Sequence, residues 1–311
     1  MADIVVVGSC MTDLVSFVPE LPKPGETLFG NKFLTGFGGK GANQAVVAAR
    51  LGANVAMVAK VGDDSFGHNY IQNFKENKIN VDYVSTTREA PTGVAPISVT
   101  PDGQNAIVII SGANLYLSEN DLQKAEPVIK TAKVVLCQLE ISTETALATL
   151  KMAKKHGVKT ILNPAPGQQN LDPEIYANTD IMCPNESEAA KITGINVDTM
   201  EDAHKAIKWL LDQGCGMVIL TLGKKGSVFA TKENPTPIHI PAKQVKTVDS
   251  TGAGDAFVGA LAFYLAHYSS IDLQEAIRRS GEIATISVQK TGTQTSYPWR
   301  KDIPRDLFSN H

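Results

Sequence analysis

The sequence offers no cysteine pair at metal-ligand spacing. Its four cysteines, Cys10, Cys137, Cys183 and Cys215, stand far apart in mostly apolar, strand-like runs, and none forms a CxxC pair or joins a histidine cluster. That distribution argues against a disulfide framework or a zinc site and for reduced thiols in a core. A membrane-length apolar run is also missing, and no basic segment followed by a long apolar stretch stands at the N-terminus. A cytoplasmic location is therefore expected, with the nucleus left open. Positive charge is not in excess: 29 Lys and Arg stand against 32 Asp and Glu, a net charge of −3. Neither nucleic acid nor a membrane is an expected partner, and an anionic substrate would need a local site. No repeat or low-complexity linker divides the 311 residues, and 43% hydrophobic with 20% charged content describes a soluble globular chain with a substantial core.

What is present is a rhythm. Ile4 to Gly8, Val55 to Val61, Val134 to Glu140, Val158 to Leu162, Ile181 to Cys183 and Met217 to Leu222 read as strands, several of them apolar enough to be buried on both faces. Helical patterns lie between them, one through Tyr70, Ile71 and Phe74. This order predicts an α/β fold with a mostly parallel central sheet, helices on both faces, and polar strand ends gathered on one edge. Thr92 to Val99 and Ala106 to Ile110, joined by Pro101-Asp102-Gly103-Gln104, read as a hairpin instead. Tight-turn strands fit a parallel sheet poorly. They are assigned to a small β-sheet lid, discontinuous from about 14–35 and 92–111, within one α/β domain spanning 1–311.

Chemistry concentrates in glycine-rich stretches. Asp249-Ser250-Thr251-Gly252-Ala253-Gly254-Asp255 precedes Phe257 to Leu265, an apolar run long enough for a buried helix. A helix start there turns free N–H groups and the positive dipole end toward an anion. Gly252 and Gly254 remove the Cβ atoms that would keep a phosphate away, and Asp255 sets a carboxylate beside it. That placement is unfavourable unless the carboxylate does chemistry, such as taking a proton from an attacking hydroxyl. In isolation the motif reads equally well as ordinary capping. Gly36-Phe37-Gly38-Gly39-Lys40-Gly41 fits the dinucleotide GxGxxG pattern literally, and its Gly-Lys is similar to a P-loop. Both matches lack their context: no clean buried strand precedes, no convincing acid follows about 20 residues on, and Lys40 is followed by Gly. The stretch reads as a glycine-rich loop before a helix from Ala45 to Gly52, with Lys40 and Asn43 as donors for hydroxyls or a phosphate.

Asp13 and Glu140 stand at strand ends, where α/β sheets bind ligands, although Asp13 alone reads as a turn or cap residue. Asn185-Glu186-Ser187-Glu188 begins a helix. Thr221-Leu222-Gly223-Lys224-Lys225-Gly226 ends a strand with a hydroxyl and two glycines, a cradle for nucleotide phosphates or ribose in which the lysines read as solvated turn residues.

The run Asp249 to Phe257 closely resembles the C-terminal signature of the ribokinase-like carbohydrate kinases, and Gly38-Gly39-Lys40-Gly41-Ala42-Asn43 is similar to their N-terminal sugar-binding signature. The resemblance extends from Ile4 to about Phe308. It implies in-line transfer of the ATP γ-phosphoryl group to the 5-hydroxyl of D-ribose, with Asp255 as base and Gly252, Ala253 and Gly254 as anion hole. Sugar contacts are implied at Asp13, Gly39, Lys40, Asn43 and Glu140, and at Met11, which stands where bacterial members carry Asn. Nucleotide contacts are implied at Asn185, Thr221, Leu222, Gly223, Lys224, Lys225, Gly226, Gly254 and Gly281, the last replacing a His or Asn of relatives. Asn185 and Glu188 would organise Mg²⁺, Glu188 through water. Asp249, Thr251, the carbonyls of Ser287, Lys290 and Gly292, and an oxygen of Ser296 would bind K⁺. Two lids would pair in a homodimer. Rivals are a kinase for deoxyribose, fructose or a nucleoside, and an inactive sugar sensor on the same fold. The intact Gly-Gly-Lys-Gly-Ala-Asn run and Glu140 favour ribose, and retention of Asp255, Asn185 and Glu188 argues against a sensor. A nicotinamide oxidoreductase is what the GxGxxG match alone would suggest.

Overall fold

Aliphatic runs without polar interruption form strands that bury both faces, and β1 (Ile4–Val7) is wholly buried within the large sheet. The structure, a computed structural model, describes residues 2–309. After β1 come β2 (Met11–Phe17), β3 (Lys32–Gly38), α1 (Lys40–Leu51), β4 (Val55–Gly62), α2 (Ser65–Glu76) and β5 (Asn80–Thr87). Next are β6 (Gly93–Val99), β7 (Asn105–Ile107), α3 (Glu119–Ile129), β8 (Val134–Gln138), α4 (Thr143–Lys155) and β9 (Lys159–Asn163). Then follow α5 (Pro173–Ala177), β10 (Ile181–Met182), α6 (Glu186–Thr193), α7 (Met200–Asp212), β11 (Met217–Thr221), β12 (Ser227–Thr231), β13 (Ile238–Ile240), α8 (Ala253–His267) and α9 (Leu273–Ser287).

The large sheet has nine strands in the order β13-β12-β11-β10-β9-β8-β1-β4-β5. It is parallel from β11 to β5, as the βαβα rhythm requires; at one edge β12 pairs antiparallel with β11, and β13 pairs antiparallel with β12. The sequence reading did not anticipate those two. The reversal of β12 follows from the short turn Gly223–Lys225 after β11, too short for a crossover back to a parallel strand. Alternate residues of β1 face different cores. Ile4 and Val6 pack with α1 and α8, whereas Val5 and Val7 pack with α3, α4 and α7. Helices thus cover both faces.

The smaller sheet has four strands in the order β3-β2-β6-β7. β2 pairs antiparallel with β3 and parallel with β6, and β6 pairs antiparallel with β7. The hairpin expected over Ala106 to Ile110 is shorter: β7 stops at Ile107, and Ile110 returns only as an isolated bridge to Val94.

A second departure lies at α1, which starts at Lys40 rather than Ala45. The glycines there serve close packing at Gly41 and a positive-φ entry to the helix at Gly39. A Cβ on Gly41 would lie 2.6 Å from the Ser9 nitrogen, and Gly39 precedes the helix at φ 88°. α8 is apolar around nearly its whole circumference and buried, and it lies against α1 at Gly259, where a Cβ would stand 2.6 Å from the Gln44 carbonyl oxygen. No helix among the described residues is long and apolar enough to cross a membrane.

This contact yields a stability prediction. Gly259→Val should cost on the order of 2–3 kcal/mol by forcing α1 and α8 apart. It would be read as a lower urea midpoint; an unchanged midpoint would contradict the close approach.

Candidate active site

The N-termini of α1 and α8 meet beyond the carboxyl ends of β9 and β11. Between them lies a cavity of 130 Å³ whose lining includes Lys40, Asn163, Asn185, Glu188, Thr221, Gly252, Gly254 and Asp255. Residues from the first and last glycine-rich stretches therefore share one wall. Asp255, in the first turn of α8, is buried, and both of its carboxylate oxygens are held: Asn43 Nδ2 donates to Oδ2 at 2.9 Å and Gln44 Nε2 to Oδ1 at 3.0 Å. Gly252 caps α8 in the left-handed region at φ 77°, and its carbonyl accepts from the Tyr297 hydroxyl at 3.1 Å. Among the described residues the Ala253 N–H donates to Ser250 O, whereas the N–H groups of Gly252, Gly254 and Asp255 have no protein acceptor. These free donors and the helix dipole form an anion-binding terminus beside Asp255.

On one side the strand ends gather carboxylates. Glu140 Oε2 accepts from the Ser9 hydroxyl at 2.5 Å and from the Lys40 N–H at 2.8 Å, so this acid also caps α1. Burial pushes Glu140 above the usual carboxyl range, with Lys40 and Ser9 opposing it. Burial, then the charge of Glu140, raises Asp13 to about 6. The Asp13 carboxylate fills the space above Gly38, where a Cβ would collide with it. Met11 is buried at the start of β2 and pairs with Gly38 and Gly93. A Cβ on Gly39 would lie 2.8 Å from the Met11 nitrogen. Burial pulls the Lys40 ammonium down, but Asp255, Glu140 and Glu188 together outweigh it and raise Lys40 above its ordinary value.

On the other side opens a 650 Å³ cavity whose lining includes Asn185, Thr221, Gly223, Lys224, Gly226, Gly254 and Gly281 with apolar Phe257, Ile277, Ala284 and Val288. A Cβ on Gly281 would meet nothing within 4 Å, so this wall is open. The structure leaves two residues of the cradle out of the lining. Leu222 points into the core, and Lys225 stands outside, its carbonyl accepting from His239 Nε2 at 2.7 Å. Asn185, Thr221 and Gly254 line both cavities.

Asn185 and Glu188 form a capping box on α6: Asn185 Oδ1 accepts from the Glu188 N–H at 2.9 Å, and Glu188 Oε2 accepts from the Asn185 N–H at 2.9 Å. The other Glu188 oxygen takes the Asn185 amide at 3.0 Å, and burial raises the acid. With both oxygens engaged, Glu188 fits an outer role around a hydrated Mg²⁺ better than direct ligation. Asp249 ties the loop before α8 to the segment after α9, accepting from the Thr251 N–H and the Gly292 N–H, each at 2.9 Å. Burial would raise this carboxyl, but those two bonds hold it below the usual range. Val248 N–H reaches Val288 O at 2.8 Å, which brings Asp249 and Thr251 beside the 287–292 carbonyls, an all-oxygen donor set that suits a hard cation. The Ser296 hydroxyl is buried and donates to Thr293 O at 2.7 Å. Among the described residues there is no metal-holding cluster of three His, Cys, Asp or Glu side chains.

Sequence reasoning missed Ser9, Gln44, Gln138, Asn163 and Gln294. The legible signal was polarity out of place: Gln44 within an apolar helix pattern and Gln138 at the end of an apolar strand.

A helix start with free N–H donors, a buried carboxylate beside it and two adjoining cavities thus come together on an α/β scaffold. Residues 1–300 match the pfkB family carbohydrate kinase profile, and the chain belongs to that family. Among its relatives, a ribokinase from Mus musculus is 56% identical over 99% of this chain and 95% of its own. A deoxyribokinase from Salmonella typhi is 42% identical, over 95% of each chain. The structure of Arabidopsis thaliana ribokinase complexed with ribose and ATP superposes with a TM-score of 0.89 at 32% identity, covering 97% of both chains.

The raised Asp13 carboxyl sets a pH dependence. Its folded value of about 6 lies above the ordinary 3.8, so folding favours the protonated acid. Its contribution to stability is full below pH 4 and lost as pH rises through 6. Asp13→Asn, which mimics the neutral form, should flatten that loss in urea midpoints taken between pH 4 and 7; an equal slope in both proteins would contradict the assignment.

Proposed function

We propose that this protein catalyses ATP-dependent phosphorylation of D-ribose at the 5-hydroxyl, giving ribose 5-phosphate and ADP. The observation that carries the reading is the position of Asp255, fixed by two amides beside unpaired N–H groups, in the small cavity between the carboxylate-rich side and the larger cavity. Ribose lies against Asp13, Lys40, Asn43 and Glu140, whose acceptors and donors match a small polyol. Met11 and Gly39 shape that pocket through packing and backbone. ATP occupies the 650 Å³ cavity, its base against the apolar wall near Gly281 and its phosphates toward Thr221, Gly223, Gly226 and Asn185. Lys224 reaches the phosphates from the rim, and Leu222 and Lys225 contribute only backbone.

Asp255 accepts the proton of the attacking hydroxyl as the oxygen–phosphorus bond forms in line with departure of ADP. The N–H groups of Gly252 and Gly254 take up charge on the transferring oxygens, joined by Ala253 if it leaves Ser250 O. Mg²⁺, arranged by Asn185 and Glu188 through water, neutralises phosphate charge when bound. Asp249, Thr251, Ser287, Lys290, Gly292 and Ser296 would hold a K⁺, whose charge would help order the loop that carries those N–H groups. Two molecules pair through the small sheet, where Phe33 is 59% and Ile107 52% exposed. The enzyme works in the cytoplasm or nucleus. The mouse ribokinase and the Arabidopsis complex with ribose and ATP support this substrate pair. The Salmonella deoxyribokinase supports a second reading, 2-deoxyribose, since the buried Met11 side chain offers a hydroxyl no strong partner.

ADP release from the purified protein should be measured with ATP and D-ribose, 2-deoxyribose, fructose or adenosine, each with and without K⁺. Ribose turnover that rises with K⁺ is expected. Preference for deoxyribose would move the assignment to the second reading, and silence on all four would overturn the kinase reading.

A further inference from the structure

A buried chain of side-chain amides runs from Arg50 to Asp255. Arg50 Nε donates to Asn77 Oδ1 at 2.8 Å, and Asn77 Nδ2 to Asn73 Oδ1 at 3.3 Å. Asn73 Nδ2 donates to Gln294 Oε1 at 2.9 Å, Gln294 Nε2 to Asn43 Oδ1 at 3.1 Å, and Asn43 Nδ2 to Asp255 Oδ2 at 2.9 Å. Asn77, Asn73, Gln294, Asn43 and Asp255 are all buried. Chemistry at the two ends dictates the direction. A guanidinium only donates and a carboxylate only accepts, so each amide between them turns its carbonyl toward Arg50 and its NH₂ toward Asp255. Aligned donors of this kind polarise one another, and the effect is strongest where water is excluded.

Gln294 is the junction. Its Nε2 also donates to the Tyr70 hydroxyl at 3.1 Å, and that hydroxyl donates to the Gly38 carbonyl beside Asp13. Its own carbonyl accepts from Arg50 at 2.5 Å, and Arg50 is further held by Tyr297 O at 2.9 Å and by the Trp299 ring at 5.1 Å. One side chain thus joins the segment after α9, the root of the small sheet and the amide that grips Asp255. A shorter arm holds the other carboxylate oxygen: Gln138 Nε2 donates to Gln44 Oε1 at 2.7 Å, and Gln44 to Asp255 Oδ1.

We propose that Gln294 is a positioning residue for phosphoryl transfer, fixing the Asn43 amide and through it the direction in which the Asp255 carboxylate faces the cavity. The inference rests on the kinase reading above. Without the Gln294 donors the Asn43 amide is free to turn, and Asp255 loses one of its two anchors. Misplacement of a reacting group by about 1 Å can cost on the order of a hundredfold in rate.

The test compares ribose-dependent ADP release and urea midpoints for the wild-type protein, Gln294→Met, Asn73→Leu and the double variant. Gln294→Met should lower kcat about 10- to 100-fold while ribose affinity, measured by calorimetry, weakens by less than about tenfold through the loosened Asn43 contact. Asn73→Leu should slow turnover less. The double variant should be no slower than Gln294→Met, because Asn73 acts through Gln294, although its midpoint falls further. A Gln294→Met enzyme within about twofold of wild-type kcat, or rate losses that multiply in the double variant, would overturn the proposal. Should Gln294→Met fail to fold, Gln294→Leu keeps a similar volume and supplies no donor. The same rate loss is expected from it, and wild-type turnover would overturn the proposal. A wild-type protein silent on ribose would remove the kinase reading and this inference together, whereas an active wild type with an unslowed variant removes this inference alone.

Discussion

The grip of α1 on α8 organises this molecule. Asn43 and Gln44, neighbours on α1, each donate to one oxygen of Asp255 in the first turn of α8. That grip requires the two helices to touch, which is why Gly259 faces the Gln44 carbonyl, while Gly41 seats the start of α1 against Ser9 just beyond the end of β1. The glycines are needed for contact between backbones. Most of the side chains around the site then follow: Glu140 caps α1, Gln138 and Asn163 engage Gln44, and Tyr297 fixes the turn before α8.

The electrostatics of the site ask for cations. Glu140, Glu188 and Asp255 crowd around Lys40 with Asp13 beside Glu140, and burial raises Asp13, Glu140 and Glu188 above their ordinary range. A buried site this rich in acids binds a polyphosphate only if positive charge accompanies it. The free N–H groups at α8 supply part of that charge and Lys40 another part. The proposed Mg²⁺ would supply the largest share, and the proposed K⁺ would act one step away by ordering the loop that leads into α8.

Much of the architecture was legible because uninterrupted aliphatic runs such as Ile4 to Val7 have only one comfortable environment, the inside of a parallel sheet. The tight turn at Pro101 to Gln104 marked a separate small sheet for the same kind of reason. What stayed hidden was governed by contact rather than by local pattern. The start of α1 reads as a loop because glycine disfavours helices, and only the approach to Ser9 explains its presence there. β13 is three residues long and β12 follows a tight turn, so neither gives a strong periodic signal. At the site, Asp255, Lys40 and Asn43 lie inside compact motifs and could be named. Gln294 could not, because its meaning comes from partners far away in sequence, and backbone carbonyls such as that of Lys290 carry no side-chain signature at all.

The central claim is that Asp255 is the base and that the two amides hold it in place. Asp255→Asn tests it most directly, with turnover and D-ribose binding measured on the same preparation. The account predicts that kcat falls by at least about a hundredfold while calorimetry still detects ribose within about fivefold of the wild-type affinity. Turnover near the wild-type rate would contradict it.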